Sequence, residues 1–250
     1  MKVIFNADDF GLSKGVNYGI IDSFLHGPVR STTLMAGGAA FEHAVELAKL
    51  HPKLGVGAHL QLTASQSVGG PYKTLTDKTG RFHSLVEMTK RAEEGLIDLQ
   101  EVEAEYHAQM QKILSTGITI DHLDSHHHSH HLPGVMDVFF HIAKEYHIPL
   151  VRMADKALLN GIDHLRTIDR FDDRFYLDQL SIDTIRTVLE EFPEGSVEFM
   201  CHPAYIDQAL CDASSYALPR MKELNILTSV ELQNLLYDKC VDVCKYTDID

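Results

Sequence analysis

The stretch "KVIFNADDFGLSKGVNYGIIDSFLH", Lys2–His26, decides how the chain folds. Lys2–Phe5 is a short β-rich apolar run and reads as a buried strand. Ser13 can cap a helix that runs to about His26, where Gly27-Pro28 stops it. A strand followed directly by a helix is half of a βα unit. Two aspartates, Asp8 and Asp9, sit at the join.

Working outward, the same alternation continues. Arg30–Met35 reads as a strand, Phe41–Leu50 carries apolar residues at helical spacing, and Leu54–Leu62 reads as a third strand. Residues 63–82 are polar, rich in Gly, Thr and Ser, and without periodicity. A loop that long is usually functional or mobile, and this one could close over a site. Ser84 with Glu87 makes a capping-box pattern. Leu99, Val102, Tyr106, Met110 and Ile113 then follow a 3.6-residue period up to Gly117. Ile118–Leu123 reads as a strand, Pro133 opens a helix to about Tyr146, and Leu150–Met153 reads as a further strand. Residues 155–180 carry mixed signals. Ser181 caps a helix to about Phe192, Val197–Cys201 reads as a strand, Pro219 starts a short helix, and Ser229 caps the last. Alternating strands and helices predict an α/β fold with a parallel sheet, open or closed into a barrel. There is no repeat, no linker and no domain boundary, so residues 1–250 are read as a single domain.

The 250-residue length suits one α/β barrel, and 44% apolar residues are enough for a core. A formal charge of −14 makes nucleic acid and anionic membranes poor partners. The N-terminus is too short and acidic for a signal peptide, and no apolar run is long enough to span a bilayer. A soluble, cytoplasmic protein is expected. The cysteines, Cys201, Cys211, Cys240 and Cys244, form no CxxC pair. They read as reduced, buried or partly buried thiols, with Cys240 and Cys244 spaced to share a helix face.

Three clusters fall at predicted strand ends: Asp8 and Asp9 after the first strand, His59 at the end of the third, Asp124 and His126 after the fourth. Ligands gather at the carboxyl ends of strands in parallel α/β folds. Two imidazoles and a carboxylate are a common set for a divalent metal, leaving room for water and substrate. Each residue has a plainer reading on its own. The Asp pair could be a turn, His59 a core histidine, and the run "IDHLDSHHHSHH", Ile120–His131, a solvated loop. If the run stays extended, His122, Asp124, His126 and His128 share one face. His202, in "MCHPAY", could serve as a general acid near the same rim. Arg152, in "LVRMAD", could hold a substrate oxygen or phosphate, or form a structural ion pair.

The stretches "NADDFGLSKGVNYGI", "GAHLQLT", "HLDSHHHSHH", "MCHPAYID" and "PRMKELNILTS" resemble the YdjC-like carbohydrate deacetylases, the group that includes chitooligosaccharide deacetylase. The likeness covers nearly the whole chain. It implies a distorted (β/α) barrel related to the polysaccharide deacetylases. It implies one divalent metal ion held by Asp9, His59 and His126, with Asp8 as general base and His202 as general acid. Arg152 and His128 are expected to bind substrate. The expected reaction is hydrolysis of N-acetyl groups on acetylated amino sugars or short chitooligosaccharides, with release of acetate. Family descriptions give magnesium, whereas the donor set suits zinc. The resemblance also implies a homodimer. One departure is Ser129-His130-His131, where relatives often carry an apolar residue and one histidine; it leaves open which of the histidines after His126 matter and does not disturb His126. Two rivals stand beside this reading. His122-Leu123-Asp124 is an HxD triplet, as in non-haem iron oxygenases, although those use all-β scaffolds. A histidine-rich metal-binding protein without catalysis is the other.

Overall fold

In a computed structural model, residues 1–249 are described. The first strand, β1 (Lys2–Phe10), runs through both aspartates and well past Phe5. It continues because β2 (Val29–Leu34) and β6 (Ser196–Cys201) flank it and satisfy its backbone on both sides. Side chains alternate along it. Val3, Phe5 and Ala7 pack outward under the helices, while Ile4 belongs to a separate small cluster inside the sheet. Asn6 and Asp8 follow Ile4 on that inner side, where the Asn6 amide donates to Asp8 Oδ1 at 2.8 Å.

After β1 come α1 (Lys14–His26), β2, α2 (Phe41–Leu50), β3 (Gly55–Leu60), α3 (Leu85–Glu93), α4 (Leu99–Ser115), β4 (Leu123–Ser125) and α5 (Val135–Glu145). The second part holds β5 (Arg170–Asp172), α6 (Ile182–Glu191), β6, α7 (Gln208–Ala213), α8 (Leu218–Leu227), α9 (Val230–Asp238) and β7 (Asp242–Val243). Serine caps hold where the sequence places them: Ser13, Ser84, Ser181 and Ser229 each accept a backbone N–H of the first turn.

All strand pairings are parallel, in the order β4-β3-β2-β1-β6-β5, with β7 added to β1. The sheet curls into a half-barrel surrounded by helices, and only single bridges continue the circuit. Leu123 bridges Val151, and Leu150 bridges Arg166. The chain then reaches β5, which pairs with β6. This is the distorted α/β barrel that the family resemblance implies.

Several boundaries differ from expectation. The fourth strand starts at Leu123, not Ile118, and residues 150–153 make bridges but no ladder. Their alternation still holds, with Val151 and Met153 in the outer core and Leu150 in the inner cluster. The Cys240/Cys244 pair shares no helix, because α9 ends at Asp238 and Cys240 turns at φ 51°. All four thiols are free, but only Cys201 and Cys244 are buried.

Residues 63–82 are tied down rather than loose. Glu105 of α4 accepts the Val68 and Gly69 N–H groups, and Glu101 accepts those of Lys73 and Thr74. Among the described residues, no helix is long and apolar enough to cross a membrane.

Candidate active site

The chain bends sharply where β1 ends. Asp9 itself takes φ 71°, a left-handed conformation that aspartate tolerates better than most residues. Gly11 follows at φ 102°. The bend therefore spans Asp9 to Gly11. Because it starts at Asp9, neighbouring carboxylates that would point to opposite faces of a strand both reach the same cavity.

Asp9, His59 and His126, the three residues that the family resemblance implies as metal ligands, meet there, and all are buried. Asp9 Oδ1 lies 2.8 Å from His126 Nδ1 and 3.3 Å from His59 Nε2, and the two nitrogens are 3.3 Å apart. An ion with bonds of about 2.0–2.1 Å in tetrahedral geometry needs donors about 3.3 Å apart, so the set fits a divalent metal. Both flanking contacts support that fit. His59 Nδ1 lies 2.7 Å from Asp124 Oδ1, which fixes the ring and aims Nε2 at the other donors. Arg220 donates to Asp9 Oδ2 at 2.6 Å, leaving Oδ1 for the ion. Burial works against charge on His59, but Asp124 outweighs it and lifts the imidazole to about 10. Loading an ion therefore displaces a proton from this ring. Burial would raise the Asp9 carboxyl, but His126 and then Arg220 hold it well below the usual range.

Asp8 stands beside this group without joining it. Its carboxylate takes a two-pronged contact from Arg152, Nη1 to Oδ2 at 2.6 Å and Nη2 to Oδ1 at 2.7 Å. Burial alone would raise its pKa, yet the guanidinium pulls it far below normal and keeps it ionised.

Arg152 differs from its expected role. Nη1 also meets Asp124 Oδ2 at 2.7 Å, while Nε and Nη2 both donate to Glu198 Oε1, at 2.8 and 2.6 Å. Four of its five N–H donors are taken by these hydrogen bonds, and Asp124 is ion-paired to Nη1. The residue is buried, and of its two expected readings the ion pair is the one these contacts form.

The histidine run is neither a strand nor a solvated loop. His126–His131 is a short 3-10 segment, kinked where His127 and His128 take left-handed φ values of 55° and 51°. Alternation therefore stops at Ser125. His126, His127 and His128 all line the cavity. Burial lowers His127 to about 3 and His128 to about 4, so both are neutral near pH 7. His130 is a core residue, stacked on Phe139 with Nδ1 2.6 Å from Ser125 Oγ. His122 lies elsewhere in the barrel, its ring stacked on Tyr246 and its Nδ1 on Asp121. Among the described residues, His122 and Asp124 share no candidate metal group, so the HxD reading has no geometric support.

The cavity has a volume of about 280 Å³ and is open on one side. His202 lines it opposite the histidine turn. Its loop packs on α1, where Gly15 and Gly19 leave space: an added Cβ at Gly19 would lie 2.5 Å from Ala204 Cα. Burial, reinforced by Arg220, lowers His202 to about 4, so it rests neutral. None of residues 63–82 lines the cavity. Tyr176 and Tyr216, stacked at 4.2 Å, form its far wall instead.

Sequence reasoning missed Arg220, Glu223 and Tyr216. The signal was present in α8, where Arg220 and Glu223 occupy the same buried face as Leu224 and Leu227. Glu223 receives the Tyr216 hydroxyl at 2.6 Å and the His202 backbone N–H. Burial pushes its carboxyl up to about 8. A raised carboxyl stabilises the fold fully below about pH 4.5, and that contribution is lost as pH rises through about 8. Between pH 5 and 9, wild type should therefore lose on the order of 4 kcal/mol relative to Glu223→Gln. Denaturant unfolding of both proteins at pH 5, 7 and 9 checks this, and parallel curves would refute it.

The family model for "YdjC-like protein" matches residues 2–238. Among curated proteins, "Carbohydrate deacetylase 1" of Listeria innocua is 44% identical, with all of both chains covered. "Carbohydrate deacetylase" of Vibrio cholerae is 42% identical over 99% of this chain and 96% of its own. A crystal structure from Enterococcus faecalis, named a "putative cellobiose-phosphate cleavage protein", superposes with a TM-score of 0.91. It is 33% identical and is covered over 98% of its length by 99% of this chain.

Proposed function

Because the chain belongs to the YdjC-like family, we propose that it is a carbohydrate deacetylase, a metal-dependent hydrolase that frees acetate from N-acetylated amino sugars or short chitooligosaccharides. The observation that carries this reading is the meeting of Asp9, His59 and His126 on one buried point, with Asp8 beside it in the same cavity. The names of full-length relatives support the substrate class.

Asp9 Oδ1, His59 Nε2 and His126 Nδ1 would hold one divalent ion. Two nitrogens and one oxygen favour Zn²⁺ over Mg²⁺, which prefers all-oxygen sites. When bound, the ion supplies a Lewis acid that polarises water and the acetamide carbonyl.

The chain's own groups do the rest. Asp8, held ionised by Arg152, takes the proton of the attacking water. His202 delivers a proton to the departing nitrogen. Since its imidazole rests neutral, it first takes that proton from solvent, and the proton collected by Asp8 returns to solvent when acetate leaves. His127 and His128 present neutral rings to the sugar. Tyr176 and Tyr216 offer an aromatic wall against which a pyranose can pack.

The test is acetate release from a panel of N-acetylated sugars, plain and phosphorylated, with and without chelator. Release from at least one member, abolished by chelator and restored by Zn²⁺ or Mg²⁺, is expected. An active protein indifferent to chelator would remove the metal from the reading. A protein that releases no acetate from any member would remove the substrate class.

A further inference from the structure

Below Asp8, the inside of the barrel is filled by charges that the proposed reaction does not use directly. Arg152 enters from the stretch that bridges β4. Glu198 enters from β6, opposite Ile4 of β1. Tyr246 enters from the tail that follows β7, beyond the stretch matched to the family. All three are buried.

Their contacts form one line. Glu198 Oε1 takes Arg152 Nε and Nη2, and Glu198 Oε2 accepts the Tyr246 hydroxyl. The opposite edge of the same guanidinium grips both oxygens of Asp8. A guanidinium is planar and rigid, so turning its Glu198 edge turns its Asp8 edge by the same angle. Tyr246 is itself fixed. Its ring stacks on His122 at 3.8 Å and 9°, and it packs with Ile4, Leu150, Ile168 and Cys244. The tail is bound to β1 by Asp242 N to Met1 O and Cys244 N to Val3 O, each 3.0 Å.

We infer that Tyr246 is a positioning residue for Asp8: its hydroxyl fixes Glu198, Glu198 sets the plane of Arg152, and Arg152 sets the base. This inference rests on the deacetylase reading. Loss of the hydroxyl leaves Glu198 Oε2 buried without its donor. The carboxylate then turns to find another donor, and the guanidinium turns with it. Small misplacements of a reacting group lower rates steeply.

The experiment uses the full, metal-loaded chain and an acetylated sugar that wild type turns over. Tyr246→Phe is expected to lose about tenfold in kcat, with KM within about twofold of wild type and ion content unchanged. In an Asp8→Asn background, with ion content unchanged so that the Arg152–Asp124–His59 branch is intact, the same substitution should leave the residual rate unchanged, because the remaining branch of the network acts through Asp8. Unchanged kcat in Tyr246→Phe would overturn the inference. So would an equal fold loss in the Asp8→Asn background, which is what general loosening of the fold produces. Should Tyr246→Phe fail to fold, Glu198→Gln is read in the same two backgrounds by the same criteria. A wild type that releases no acetate from any sugar overturns the deacetylase reading, and this inference with it. An active wild type with an equally active Tyr246→Phe overturns the network alone.

Discussion

Asp8→Asn is expected to keep one ion per chain and to lose about a thousandfold in kcat. The side chain is nearly isosteric, and Asp8 contributes no atom to the Asp9–His59–His126 group, so the ion site should stand. What disappears is the proton acceptor beside that site. The amide keeps one oxygen for Arg152, which limits structural damage to the loss of one of two short contacts. Steady-state kinetics, with metal content measured on the same sample, reads the effect. A fully active Asp8→Asn protein would end the assignment of Asp8 as base. A protein that merely stores metal through its histidines would show no functional change at this position.

The largest stability effect belongs to Arg152. Replacing it by methionine keeps most of the volume but leaves Asp8, Asp124 and Glu198 facing one another without their cation. Breaking a buried pair on one side costs about 4 kcal/mol, and three carboxylates share this partner. For a chain of this size that corresponds to a fall of roughly 10 °C in Tm. Arg152→Lys should recover only part of the loss, because one ammonium cannot span three carboxylates. Thermal unfolding of the two variants beside wild type checks the order. A methionine variant as stable as wild type would show that the carboxylates protonate or rearrange at no cost.

The contrast between these two residues shows what the sequence made readable. Asp8, Asp9, His59 and His126 sit next to strand ends, and the βα alternation alone places such ends on one rim. Serine caps and glycine stops located most helices for the same local reason. Arg152 was visible as a strand-end residue, but its partners were not, because Asp8 lies 144 positions away and Glu198 lies 46 away. Glu198 itself sits in "SVEFMC" as the one charged residue of a largely apolar strand, and only the curl of the sheet shows that it faces the interior. The histidine run misled for a different reason. Strand alternation extrapolated past Ser125 assumes extended backbone, and two successive left-handed residues break that assumption. The short strands β5 and β7 carry too few residues for any period to emerge; β5 forms on the free edge of β6, and β7 on Lys2 and Val3 of β1, before the pairing with β2 begins at Phe5.

The most direct test of the metal centre is an anomalous difference map from crystals grown with zinc. One dominant peak about 2.0–2.2 Å from Asp9 Oδ1, His59 Nε2 and His126 Nδ1 together is the predicted result. A dominant peak held by His127, His128 or His131 instead, or several weak peaks spread along the run, would contradict it.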